Sequence, residues 1–155
     1  MASENTALKT VLNELVETLK DGERGYSEAL TDVKDQDLKE VFKKYALQRD
    51  GYLTELENAM HNLNLHPEQS KEDKTDSVVG SAHRVWINLK GLVTGNDRHA
   101  ILAECERGED YAKKAYEKAS QAQGIPSDIK ALIDKQAQGI KEAHDTIRGL
   151  RDSSK

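Results

Sequence analysis

Apolar residues recur at three- and four-residue spacing along four long stretches of this chain, and the breaks between those stretches have two very different lengths. Such spacing puts the apolar side chains on one face of an α-helix. Leu8, Leu12, Leu15, Val16 and Leu19, continued by Gly22, Tyr26, Ala29 and Val33, predict a first helix over about 4–33. Lys34 to Asp37 supply a turn with capping acids, and Leu38, Phe42, Tyr45, Leu53, Leu56 and Met60 resume the period over about 36–63. Ile101, Leu102, Cys105, Gly108, Ala112, Tyr116 and Ala119 define a helix over about 97–122. Gly124 and Pro126 separate it from the last helix, over about 126–151, which carries Ile129, Ile133, Ile140, Ala143 and Ile147.

The short breaks allow only antiparallel hairpins, so the chain contains two of them. The break between the hairpins is long. Its first part, from Asn64 to Asp76, is polar, contains Pro67 and has no period, which predicts a loop. Val78, Val79, Ala82, Val85, Trp86, Leu89 and Val93 then predict a shorter amphipathic helix over about 76–93, stopped by the Thr94-Gly95-Asn96-Asp97 run. Trp86 is the natural anchor of that crossover helix. Four core helices with one long connection between the second and third match the connectivity of ferritin-like bundles, and 155 residues suffice for a single domain over 1–155 with a continuous core.

Composition removes several classes of function. No apolar run approaches the ~20 residues of a membrane span. The N-terminal residues carry no basic stretch followed by an apolar one, and the single cysteine, Cys105, excludes an internal disulfide or a multi-thiolate site, so a cytoplasmic location is expected. The net charge of -5, with lysines and acids interspersed, leaves no basic stripe for nucleic acid and no anchor for stable membrane association.

A two-metal carboxylate site in such a bundle requires a glutamate from each of two core helices and a Glu-x-x-His pair from each of the other two. Glu23 and Glu109 answer the first requirement; each follows a seam glycine, Gly22 or Gly108, whose small size leaves room for a polar group. The alternative places both carboxylates in water beside the seam. The second helix has no Glu-x-x-His; its seam runs from Tyr45 through Arg49 to Tyr52. The fourth has His144 on its apolar face, with Lys141 three residues earlier, where the glutamate should stand. No bound metal is therefore the expectation, and no cofactor is implied. Arg49, facing Glu23 or Glu109, and His144 would instead form an interior polar network with them, the cations standing where metal charge would be. Arg49 could equally extend outward with its head in water, and His144 could be a satisfied core histidine. His61, His66, His83 and His99 show no ligand spacing, and Cys105 lies on the apolar face as a small hydrophobe.

The segments Leu12–Tyr26, Ala100–Asp110 and Lys141–Arg148, with His83-Arg84-Val85-Trp86, resemble a bacterial family known as domain of unknown function 2383 over nearly the whole chain. The resemblance implies membership of the ferritin-like superfamily and the same four-helix architecture, and it brings no established activity. Related stress-associated ferritin-like proteins retain more of the ligand set; Arg49 and Lys141 are the departures here. The leading expectation is a non-enzymatic structural, binding or stress-associated bundle, as a monomer or homodimer, whose protein partner the sequence does not name. A metal-binding protein or metal-dependent oxidase using Glu23, Glu109 and His144, with Glu104 or Glu106 nearby, is the alternative. Reversible lipid binding by opened amphipathic helices is a third.

Overall fold

A computed structural model describes residues 2–65, 86, 89–95 and 97–154. Its elements are α1 (Ala2–Asp32), α2 (Gln36–Asn62), α3 (Leu89–Gly95), α4 (Arg98–Gln121) and α5 (Ser127–Asp152), with no strand among the described residues. The four long helices end within a few residues of the expected bounds. The expected loop after Asn64, with His66, and most of the crossover helix over 76–93, with His83, lie outside the described residues. Trp86, in a helical conformation, and α3 are the described parts of that crossover.

Local chemistry explains the helix ends. Asn64 takes φ 60 after α2, a left-handed conformation that asparagine tolerates, while the Leu65 amide returns to the Met60 carbonyl at 2.7 Å. Gly124, at φ 80, turns the chain between α4 and α5, where a side chain would be strained. Asp97 caps α4: its Oδ1 accepts from the Ala100 amide at 3.1 Å. Asp97→Ala is expected to lower stability by about 1 kcal/mol, the usual worth of an N-cap, measured by chemical denaturation.

Arg98, the first residue of α4, fixes how the hairpins meet. Its guanidinium donates to Asp35 at 3.0 Å, to both oxygens of Asp37 at 2.9 and 2.7 Å, and to the Ser154 hydroxyl at 2.8 Å. That contact holds the Asp37 carboxyl below its ordinary range. The end of α1, the start of α2, the start of α4 and the residues after α5 therefore share one end of the bundle. It follows that α2 and α4 run in the same direction, opposite to α1 and α5. Helix α1 packs on α2 and α4, and α5 packs on α4 and α2, with α3 laid against α1 and α4. The result is an all-α bundle of four long helices in two antiparallel hairpins.

The core has two apolar parts. One gathers Leu8 to Leu19 of α1 with Leu56, Met60, Tyr116, Ile129, Ile133 and Ile140. The other gathers Tyr26 to Val33 with Leu38, Phe42, Tyr45, Trp86, Ile101, Cys105, Ala143 and Ile147. Arg49 and Glu109 are buried at the level where α2 and α4 pass from one part to the other. No described helix is long and apolar enough to cross a membrane.

Candidate functional site

The polar layer between the two apolar parts is built by α1, α2 and α4. Arg49 is 1 % exposed and Glu109 0 %, so outward extension of the arginine is overruled. Seam spacing in α2, four residues beyond Tyr45, turns Arg49 inward along with the apolar residues around it. Its Nη2 donates to both carboxylate oxygens of Glu109, at 2.7 and 2.8 Å, and its Nε donates to Gln48 Oε1 at 3.1 Å. The Tyr26 hydroxyl donates to Glu109 Oε2. Burial, and next the charge of Glu109, push the Tyr26 hydroxyl well above its ordinary range, so it keeps the proton it donates. For Arg49, burial works against the charge, but Glu109 and the Tyr26 oxygen outweigh it and hold the guanidinium protonated. The guanidinium carbon also lies 5.8 Å from the centre of the Tyr26 ring, a cation–π distance.

The seam glycines have a different use from the one their sequence suggests. Gly108, together with Gly25, admits the indole of Trp86 instead of making room for a carboxylate. A Cβ on Gly108 would stand 2.4 Å from Trp86 Cζ2, and one on Gly25 would stand 2.6 Å from Trp86 Cε3. The ring thus lies between α1 and α4 where both backbones are bare, and it meets Tyr26 edge-on at 4.9 Å between centroids. Gly22 is nearer Arg49, whose Nη1 would be 3.3 Å from a Cβ there.

The four residues singled out for an interior network divide among three places. Arg49 and Glu109 meet directly. Glu23 is half-buried and accepts from Ser27 Oγ at 2.7 Å, one turn along α1. His144, buried on α5, lies between carboxylates: its Nε2 is 2.7 Å from Asp110 Oδ1 and 3.8 Å from Glu106 Oε2, and its Nδ1 is 3.1 Å from Asp145 Oδ1. Hydrogen bonds from Lys141 and then from His144 hold the Asp145 carboxyl down to about 2. Glu106 Oε1 accepts from Arg151 Nη1. Glu104 takes Arg107 on Oε1 at 3.2 Å, and its Oε2 is buried without a hydrogen-bond partner among the described residues. Tyr26 is expected only as a core aromatic, and Gly25, Asp110 and Asp145 are not singled out in the sequence. Their signal is weak but present: Glu106 and Asp110 stand one helical turn apart, and Asp145 follows His144 directly.

A second buried polar contact joins α2, α4 and α5. Gln136 accepts from the Tyr116 hydroxyl at 2.6 Å and donates to the Tyr52 carbonyl at 3.1 Å and to Glu55 at 3.0 Å. Cys105 is fully buried, and burial pushes its thiol well above its ordinary range, which makes it inert.

The interior therefore does not suit the two-metal centre of ferritin-like proteins. Such a centre needs carboxylates free to bridge two cations. Here both oxygens of Glu109 are taken by a guanidinium, and Glu23 bonds to a neighbouring serine. No curated protein matches the chain. The first hairpin and α4, with the segments that supply Tyr26, Arg49 and Glu109, lie within residues 7–122, and over those residues, well more than half of its length, the chain belongs to the family described as Domain of unknown function (DUF2383).

Proposed function

We propose that this protein is a non-enzymatic helical scaffold, a binding or structural protein whose interior charge is balanced by an arginine and whose work is done by its outer faces. The observation that carries this reading is the closure of the bundle centre: Arg49 sits on both oxygens of Glu109, in the position where a metal-dependent relative would need a free bridging carboxylate. A stress-associated setting is what the family resemblance adds.

The test is aerobic incubation of the purified, untagged protein with ferrous iron. Oxidation at the rate seen in buffer alone is the expected result. Uptake of two iron equivalents per chain with accelerated oxidation would overturn the scaffold reading and restore the oxidase alternative.

A further inference from the structure

We propose that Glu106, Asp110 and His144 form a site for a single divalent cation of the zinc type on the seam between α4 and α5. The site shares no residue with the Arg49–Glu109 pair and is independent of the scaffold reading.

The two carboxylates stand one turn apart on α4 and so face the same way, toward α5. The His144 side chain, 6 % exposed, forms the floor of the site, while that of Asp110, at 49 %, forms a rim open to solvent. One donor atom from each of the three residues can be chosen so that all lie within 4.8 Å of one another. A tetrahedral ion with ligands at about 2.0–2.2 Å sets its ligand atoms about 3.3 Å apart. The distances from His144 Nε2, 2.7 Å to Asp110 and 3.8 Å to Glu106, fall on either side of that value, and an ion would draw the two carboxylates, now within 4.8 Å of each other, together.

The imidazole distinguishes this place from an ordinary acidic patch, because both of its nitrogens face carboxylates. A neutral imidazole donates from one nitrogen only. With Nδ1–H donated to Asp145, the Nε2 lone pair faces Asp110, the direction in which a metal-bound imidazole presents its donor. A histidine whose far nitrogen is held by a carboxylate is the usual second-shell arrangement of a metal-bound imidazole. Arg151 engages Oε1 of Glu106, whereas it is Oε2 that lies toward the histidine. Three carboxylates, Glu106, Asp110 and Asp145, surround the imidazole, which favours a further cation beside it. One imidazole with two carboxylates suits zinc and its first-row neighbours better than calcium or magnesium, which take oxygen alone.

The experiment titrates chelator-treated, untagged full-length protein with zinc against a chromophoric competitor. One equivalent per chain is expected, with affinity falling at least about tenfold in Asp110→Asn and in His144→Gln, and by about tenfold in the outer-shell variant Asp145→Asn. Asp110 lies on the rim, so its variant keeps the fold even if the buried His144 variant does not; circular dichroism checks both. Absence of binding would overturn the site. Binding unchanged in Asp110→Asn would also overturn it, by assigning the zinc to other histidines. Ferrous oxidation with two equivalents bears on the scaffold reading alone, so the two proposals fail separately.

Discussion

Replacement of Arg49 by leucine is expected to lower the unfolding free energy by about 3–5 kcal/mol, the usual cost of stranding one partner of a buried ion pair. The reason lies with the residue left behind. Glu109 is fully enclosed, and without Arg49 it retains the Tyr26 hydroxyl but no compensating cation among the described residues. Since a domain of this kind is stable by about 5–15 kcal/mol in total, the loss should move the urea midpoint far enough to be unmistakable. The double variant Arg49→Leu with Glu109→Leu removes both charges, and its stability is expected within about 1 kcal/mol of the natural protein or above it, because a well-packed apolar pair often equals a buried ionic one. A change under about 0.5 kcal/mol in the single variant would mean that the pair is not desolvated as its burial implies.

The second large effect is expected at Gly108. A methyl group there would meet three indole atoms of Trp86 at 2.4, 2.6 and 2.7 Å, none of them the loose end of a flexible chain. Gly108→Ala should therefore cost about 1–3 kcal/mol as overpacking, despite the better helix propensity of alanine. Trp86 is the sole tryptophan, so displacement of its ring into water should shift the protein's emission to longer wavelength. Gly51→Ala is the control. It too is a helical glycine, but nothing lies within 4 Å of its added Cβ, and it should gain about 0.5–1 kcal/mol with emission unchanged. Equal behaviour of the two variants would remove the indole from between α1 and α4.

These two sites also mark where sequence reasoning succeeds and where it stops. The apolar period places Arg49 on an inner face, and the breaks at Asp35, Asn64, Asp97 and Gly124 set the helix ends, because both depend only on neighbours in the chain. Which glutamate receives the arginine is another matter. Glu23 and Glu109 each follow a glycine and precede a tyrosine by two or three residues, so their local patterns are nearly alike. The choice depends on how α2 and α4 face each other across the bundle, and no spacing within one helix contains that information. The glycines are similar: spacing reveals bare backbone, but a tryptophan arriving from a different element determines what fills it. Asp110 is missed for the opposite reason. A half-exposed acid on a highly charged helix looks solvated until the fold brings a buried imidazole from α5 against it.

The division of the core by Arg49 also bears on the order of assembly. During synthesis α1 and α2 are complete before Trp86 or Glu109 exists, and a lone helical hairpin can collapse along its apolar stripes as soon as it emerges. In that hairpin Arg49 has no counter-charge from α4 and must stay hydrated, which keeps the middle of the stripe wet and the hairpin loose. Dehydration of the guanidinium waits for the arrival of α4, so the last large contact to form is the one that dries the centre. A truncated chain ending before α4 is therefore held short of a closed, misdocked core, and the docking of the second hairpin becomes the cooperative step of folding.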